Sequence, residues 1–251
     1  MAMPIKQSGK WILAVLLGLV SAQAGYSQVI LNQVDTFQDG TLQGWGNGGI
    51  ASPPVNISTG GPGGAGDRFL QISSGAFGGG LRSVVFNQSQ WIGDYSGAAV
   101  AKIEMDLKNF TASVLSIRWA LRSVSGGPGS PGYVSTVAFS LPSDGLWHHA
   151  VFLLDAGSLT ALNNPAPLAT FMTSVADARL LHSASPSLIG DVADTQFGVD
   201  NIQALGVAVP EPTTWLMIIG AFLAGCYYLV RMRHRGQLLM EQVCEVEEVE
   251  P

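Results

Sequence analysis

Alternation of apolar and polar residues with a period of two is the feature that most constrains the fold of this chain. In residues 101–110 (AKIEMDLKNF), Ala101, Ile103, Met105 and Leu107 fall on one face, and charged residues occupy the positions between them. Successive side chains of a strand point to opposite sides of a sheet, so this pattern predicts a half-buried antiparallel strand.

Two further segments repeat the pattern. In residues 115–123 (LSIRWALRS), Leu115, Ile117, Trp119 and Leu121 alternate with serine, arginine and alanine. In residues 133–141 (YVSTVAFSL), one face carries the residues Tyr133, Val137, Phe139 and Leu141. Both segments predict strands with one face in a core.

Clusters of Gly, Pro and Ser separate further strand-like segments. The segments are RFLQIS, LRSVVFN, HAVFLL and FGVDNIQAL, and the clusters include STGGPGGAGD and SGGPGSPG. We find no convincing helical period before the hydrophobic segment near the C-terminus. Many short strands with turn signals between them predict an all-β fold, an antiparallel β-sandwich, and we expect a jelly roll.

Residues 1–24 have the pattern of a secretory signal peptide. Lys6 and Lys10 precede an apolar stretch at 11–20 (WILAVLLGLV), and the small residues Ala22 and Ala24 follow it. Ten apolar residues are too few to span a bilayer, whose hydrocarbon core is about 30 Å thick. We therefore predict cleavage by signal peptidase after Ala24 and export of the rest of the chain.

A second hydrophobic segment, residues 213–230, contains no charged residue. A helix of this length extends about 27 Å, which suits a single C-terminal membrane span. Arg231, Arg233 and Arg235 follow at once. The positive-inside rule places this arginine cluster in the cytoplasm, so the main domain is expected outside.

Val209, Pro210, Glu211 and Pro212 stand directly before this span. The proline pair disfavours helix and keeps this short segment extended. The motif, the span and the arginine cluster in residues 209–235 together resemble the PEP-CTERM sorting signal of exported Gram-negative proteins. In that family an exosortase, a membrane-embedded cysteine protease, recognises the motif and removes the helix.

That resemblance implies an inner-membrane intermediate and a final location in the cell envelope or outside the cell. The family is associated with exopolysaccharide and biofilm, so exopolysaccharide is an expected partner. Members usually end soon after the arginine cluster, whereas this chain continues through residues 236–251 with five Glu. We expect this segment to be an acidic cytoplasmic tail.

Residues 25–208 form the expected exported domain. This range contains no cysteine, which excludes disulfides and cysteine-ligated metals there. Twelve Asp and Glu oppose seven Lys and Arg, a formal charge of −5. That balance argues against nucleic acid as a partner.

Residues 35–45 (DTFQDGTLQGW), the strand GLWHHAVFLL and residues 197–205 (FGVDNIQAL) resemble parts of jelly-roll carbohydrate-binding modules. In such modules an acidic residue of the last strand holds a structural calcium. The resemblance maps this role onto Asp200, with Asp39 and Gly40 as partners. Gln38 stands where many relatives carry Glu. In the alternative, Asp200 and Asn201 cap the strand end by hydrogen bonds to the backbone.

Two aromatic residues are candidates for stacking on a sugar ring. Trp91 and Tyr95 lie beside turn residues in QWIGDYSG, so we predict that they are exposed. Trp119 and Trp147 share strand faces with aliphatic residues and are predicted to be core.

Signals for catalysis are few. Gly61, Gly63 and Gly66 match G-x-G-x-x-G by letter, but a strand follows instead of a helix. Glu104 and Asp106 share one polar strand face and could supply the acidic pair that a glycosidase needs. Lys102 and Lys108 flank them, so we expect a charge-balanced surface instead. We expect a non-catalytic domain that binds glycan or has a structural role. The alternative is a glycan-active enzyme, a hydrolase or lyase, anchored at the cell surface.

Overall fold

A computed structural model describes residues 28–48, 53–77, 82–124, 127 and 129–207, together with 221–224, 226–228 and 231–232. The chain divides into two units, Met1–Gly206 and Val207–Pro251. The predicted signal peptide, the Val209–Pro212 motif, Arg233 and Arg235 lie outside the described residues, as does more than half of the predicted span.

The described residues of the first unit form thirteen strands, one short helix and one 3-10 turn, Gly75–Phe77. In chain order the regular elements are β1 (Val34–Asp35), β2 (Trp45–Gly46), β3 (Val55–Ile57), β4 (Phe69–Ser74), β5 (Val84–Asn87), β6 (Lys102–Asn109), β7 (Leu115–Arg122), β8 (Gly132–Ser135), β9 (Phe139–Leu141), β10 (Trp147–Leu153), β11 (Leu159–Leu162), α1 (Leu168–Phe171), β12 (Asp177–His182) and β13 (Thr195–Leu205).

The strands form two antiparallel sheets. The front sheet has the order β10-β6-β13-β4-β3, and β1 also pairs with β13. The back sheet has the order β11-β8-β7-β12-β5-β2, and β9 also pairs with β7. Consecutive strands cross between the sheets, from β4 to β5 and on to β6 and β7, and again from β10 to β11 and from β12 to β13. This is the connectivity of a jelly roll, so the predicted β-sandwich is confirmed.

The core lies between the sheets and follows the predicted alternation. Ile103, Met105 and Leu107 of β6 are fully buried, and the residues between them are partly exposed. Trp119 of β7 is also fully buried, as predicted. Burial of one large apolar side chain stabilises the fold by about 1.5–3 kcal/mol.

A buried carboxylate organises one part of this core. Asp35 of β1 accepts hydrogen bonds from the indole nitrogens of Trp45, at 2.7 Å, and Trp91, at 2.6 Å. The rings of Trp45, Trp91 and Trp119 pack together with centroids 5.7–6.3 Å apart. Burial raises the pKa of Asp35, although the indole donors oppose this shift. The indoles of Trp45 and Trp91 thus share Asp35 as a buried acceptor, whereas the indole nitrogen of Trp119 has no acceptor among the described residues.

The segment 133–141 does not form one strand. It contains β8 and β9, which pair with different halves of β7, and Val137 between them is 80% exposed. The guanidinium of Arg118 binds the carbonyl oxygens of Ser135 and Thr136 at this interruption, at 2.7 and 2.9 Å. Because β8 and β9 pair with different halves of β7, the segment does not keep one buried face along its whole length, although the alternation in its sequence predicted one.

The outer face of the back sheet is covered, which the alternation in β7 did not predict. Arg118, Ala120 and Arg122 are 4%, 0% and 1% exposed, although they point away from the main core. Ala120 belongs to a second small apolar cluster with Val134, Leu181 and Leu188. The segment 183–191, which follows β12, supplies Leu188 and packs over this face.

Arginine side chains attach this covering segment to the sheet. Arg118 donates to the carbonyl oxygens of Ser183 and Ala184, and Arg179 donates to that of Leu188. Backbone carbonyls that would otherwise be buried without partners are thereby satisfied. The covering segment therefore buries the outward side of β7, whereas Val84 and Phe86 of β5 stay partly exposed.

In the second unit, helix is present at residues 221–224, 226–228 and 231–232. Arg231 of the predicted arginine cluster is part of it and is exposed. No helix within the described residues combines the length and the apolar character needed to cross a membrane.

Candidate functional site

On the outer face of the front sheet, several strand side chains of β6 and β10 stay accessible. Antiparallel register places Trp147, Lys108, Gly198 and Gln71 in one row across β10, β6, β13 and β4. The next row holds His149, Asp106 and Asp200, and the row after it holds Val151, Glu104 and Gln203. We call this surface, with Phe69 and Phe110 at its border, the front face.

One end of the front face is aromatic. The ring of Phe69 packs against Phe110 at 5.9 Å and edge-on against Trp147 at 5.3 Å. Gly198 lies beneath them, because a β-carbon there would come within 2.9 Å of the Trp147 ring and 3.0 Å of the Phe69 ring. The ammonium of Lys108 lies 5.5 Å from the Phe110 ring and 6.0 Å from the Trp147 ring. A cation at these distances is attracted to the ring faces.

The indole nitrogen of Trp147 donates to the carbonyl oxygen of Gly60 at 3.0 Å. This bond joins the strand β10 to the glycine-rich segment that precedes β4. The tryptophan is therefore held in place, although it is not fully buried.

Charged side chains occupy the next rows. Glu104 pairs with Lys102 at 2.5 Å, and the hydrogen bond from Lys102 lowers the pKa of Glu104. His149 lies between two carboxylates, 3.2 Å from Asp106 and 3.4 Å from Glu104. The second oxygen of Asp106 accepts the Asn201 amide at 2.8 Å. Ligand hydroxyl or amine groups would meet both donors and acceptors here.

Asp200 lies in the same row as Asp106 but is fully buried. A β-bulge between Asp200 and Gln203, with Asn201 at a φ of 51°, turns this part of β13. One carboxylate oxygen accepts the backbone nitrogen of Asn201 at 2.8 Å, and the other has no hydrogen-bond partner among the described residues. Burial raises the pKa of Asp200 to about 7, and the carboxylates of Asp67 and Asp106 add to this shift.

The predicted calcium ligands have different surroundings. Both carboxylate oxygens of Asp39 accept the hydroxyl of Thr41, and the backbone nitrogen of Thr41 lowers the pKa of Asp39. Gly40 adjoins a cation, since a β-carbon there would lie 3.6 Å from a guanidinium nitrogen of Arg68. Asp39 and Gly40 thus form a poor cation site, whereas the unpartnered oxygen of Asp200 would suit one.

The carboxylates that act on Asp200 are those of Asp67 and Asp106. Gln38 also adjoins this group, because its amide nitrogen donates to Asp67 at 2.5 Å. Within the described residues, no group of three or more His, Cys, Asp or Glu has the arrangement of a metal site. A calcium ion at Asp200 stays a prediction. The alternative, a cap of the strand end by hydrogen bonds to the backbone, also stays a prediction, and the hydrogen bond from the Asn201 backbone nitrogen to Asp200 is of this kind.

The predicted exposure of Trp91 and Tyr95 is wrong, so neither ring is accessible for stacking on a sugar. Both side chains are 0% exposed. The indole of Trp91 donates to Asp35, and the hydroxyl of Tyr95 donates to the Trp91 carbonyl at 2.9 Å. Turn residues beside them suggested exposure, but this segment folds into the core because a distant strand supplies a buried acceptor.

Trp147 was predicted to be core and instead lies on the outer face. Ala150 and Phe152 of β10 point inward, so Trp147 and His149 point outward. The alternation along β10 would show which residues share a side with Trp147, but it does not show which side is buried, because Val151 and Leu153 are apolar on the outer side as well. A strand that is apolar on both sides does not reveal which side faces the core.

No family model matches the chain, and no curated protein matches it. Among solved structures, it is similar to a family 11 carbohydrate-binding module from Clostridium thermocellum in complex with a β-1,3-1,4-mixed-linked tetrasaccharide. The identity is 18% and the TM-score 0.45, over 71% of this chain and 97% of that one. It is also similar to the CBM22-1 xylan-binding domain of Paenibacillus barcinonensis Xyn10C, with 13% identity and a TM-score of 0.41 over 72% and 99%.

A third similar structure is an exo-β-agarase, with 11% identity and a TM-score of 0.47, over 72% of this chain and 25% of the agarase. At these identities and TM-scores, the likenesses assign neither a ligand nor an activity to the chain.

Proposed function

We propose that the sandwich is a non-catalytic domain that binds polysaccharide on its front face. The observation that carries this proposal is the pair of partly exposed rings of Trp147 and Phe110, which both pack against the buried ring of Phe69, beside a row that contains His149 and Asp106. An aromatic ring can stack on the apolar face of a sugar ring, while neighbouring polar groups bind hydroxyls.

Rigidity of this surface supports the proposal. Trp147 is fixed by its bond to Gly60 and by its edge contact with Phe69. His149 and Asp106 are held by their mutual contact. Side chains that are ordered before binding lose less conformational entropy when the ligand arrives.

The enzyme alternative needs one protonated and one ionised carboxyl group at the reacting bond. Lys102 keeps the pKa of Glu104 low, which suits an ionised side chain and disfavours an acid role. Asp200 has the raised pKa of an acid, but it is fully buried and cannot reach a ligand. These features support binding over catalysis.

The test is co-sedimentation of the full chain, purified in mild detergent, with insoluble polysaccharides. We expect saturable binding that Trp147→Ala weakens about tenfold or more, as for a central contact residue. Phe86→Ala is the matched control, because Phe86 lies on the back sheet under a cation, Arg179, at 5.0 Å. Its binding should equal that of the unmodified chain. Binding to none of the polysaccharides would leave a structural role for the sandwich.

We further propose that the chain is exported and sorted through Val209, Pro210, Glu211 and Pro212 by an exosortase-type protease. This proposal is supported by the order of signal peptide, motif, apolar segment and arginine cluster in the sequence. Replacing Pro210 and Pro212 with alanine should make uncleaved chain accumulate in the inner membrane, as seen by fractionation and immunoblotting. Unchanged processing of that variant would contradict the sorting proposal.

A further inference from the structure

The front face is polarised along its strands. Lys108 and the three aromatic rings occupy one end, and Asp106 follows two residues along β6. Two residues of a strand span about 6.8 Å. When one sugar unit lies on the rings, the next unit therefore lies over the rows that contain Asp106 and Glu104, which we call the acidic rows. The charge of those rows therefore determines which neighbouring unit is accepted.

Both lysines of β6 already have partners. Lys102 pairs with Glu104, and Lys108 lies over the Phe110 and Trp147 rings. In the part of the chain that the structure describes, the ion pairs of Asp67, Asp106 and Asp200 are limited to the contact of Asp106 with His149. Among the described residues, Asp106 is therefore a partly exposed carboxylate of these rows without a Lys or Arg partner.

Asp200, which pairs with Asp106 in the register of β13 and β6, is a second acidic side chain in the same row. Its second carboxylate oxygen has no hydrogen-bond partner among the described residues, and Asp106 and Asp67 are its acidic neighbours. Asp106 itself is reachable, since its side chain is 22% exposed. A cationic group of a ligand can contact Asp106 directly and lower the negative potential around Asp200.

We propose that the front face selects polysaccharides with free, protonated amino groups over neutral sugars and uronic acids. The inference rests on the proposed polysaccharide-binding function. One sugar ring stacks on Trp147, and the ammonium of a neighbouring amino sugar donates to Asp106. An ammonium–carboxylate hydrogen bond is stronger than a neutral one, whereas a uronate would be repelled by the same carboxylates.

The experiment compares two polymers with one backbone, chitosan with free amines and chitin with acetylated amines, as sediments for the full chain in mild detergent. At low salt we expect about tenfold tighter binding to chitosan, the effect of one charge-assisted hydrogen bond. Soluble alginate, a polyuronate, should not compete. Salt should weaken binding to chitosan more than binding to chitin.

Asp106→Asn removes the charge and keeps the shape of the side chain. It should lower binding to chitosan to about the level of chitin and so remove the preference between the two polymers. Asp144→Asn, at an exposed aspartate that pairs with His148, is the matched control and should keep the preference. Trp147→Ala should weaken binding to both polymers.

Equal affinity for chitin and chitosan would overturn this inference and leave polysaccharide binding intact. Competition by polylysine as strong as that by chitosan oligomers would also overturn it, because it would show attraction to any polycation. Binding to neither polymer nor to any other polysaccharide would overturn the proposed function together with the inference.

Discussion

The outward residues of β6 on the front sheet remain partly exposed, whereas Arg118, Ala120 and Arg122 of β7 on the back sheet are buried. Both strands have eight residues and alternate in sequence, and both carry long cationic side chains at outward positions. On β6 the lysines contact neighbouring side chains, and on β7 Arg118 binds backbone carbonyls of the returning segment 183–191. Similar patterns therefore give an open face in one sheet and a covered face in the other.

The difference follows from the chemistry of the two cations. A guanidinium has five donors in a planar fork and can bind several carbonyl oxygens at once, and Arg118 binds four. A lysine ammonium is a compact, strongly hydrated charge that stays near solvent. The arginines can hold a segment of chain over the back sheet, whereas the lysines leave the front face accessible.

The largest loss of stability is expected from a substitution in the buried charge cluster of the back sheet. The Asp177 side chain is 0% exposed and accepts two bonds from Arg179 at 2.8 Å, with Arg122 at 3.6 Å. Asp177→Ala leaves these guanidinium charges buried without their carboxylate and should lower the free energy of unfolding by about 3–5 kcal/mol. Urea denaturation measures it, and a loss below about 1 kcal/mol would contradict this account.

Removal of the arginine clamp should have the next largest effect. Arg118→Met keeps most of the side-chain length but loses all four bonds to carbonyl oxygens. We expect a loss of about 2–3 kcal/mol in unfolding free energy, with faster amide exchange confined to residues 183–191. Hydrogen exchange by mass spectrometry measures both. Unchanged protection of that segment would show that Leu188 holds it without the arginine.

On the front face, Asp200 predicts how stability depends on pH. Its pKa is raised from 3.8 to about 7 in the folded chain, so between these values the folded state binds more protons than the unfolded state. The unfolding free energy should therefore fall by about 1–3 kcal/mol as pH rises from 4 to 7. Asp200→Asn should remove this contribution to the slope.

The same measurement sharpens the calcium prediction. Saturating calcium would hold Asp200 ionised and should raise stability at pH 7 in the unmodified chain but not in Asp200→Asn. If calcium has no effect on either protein at pH 7, the predicted calcium site is contradicted.

The smallest expected effect concerns the front-face ion pair. Lys102→Gln breaks the contact with Glu104, whose side chain is 18% exposed, and should cost about 0.2–1 kcal/mol. The change should shrink in high salt. A loss as large as that of Asp177→Ala would remove the contrast between the two faces.

Part of this fold could be predicted from the sequence. The alternation in residues 101–110 identified Ile103, Met105 and Leu107 as core, and many short strands separated by turn residues indicated a sandwich. These features are local, because a residue two positions away points to the same side of a strand whatever the rest of the chain does.

Which outward face stays accessible depends on contacts between distant segments. Trp91 is buried because Asp35, 56 residues earlier, supplies its acceptor, and the back face is covered because Arg118 reaches carbonyls 65 and 66 residues later. No local pattern contains either contact. The sequence by itself determined strands, their alternation and a sandwich, and only the tertiary structure decided which outward face stays open, because that depends on which distant groups satisfy buried donors and acceptors.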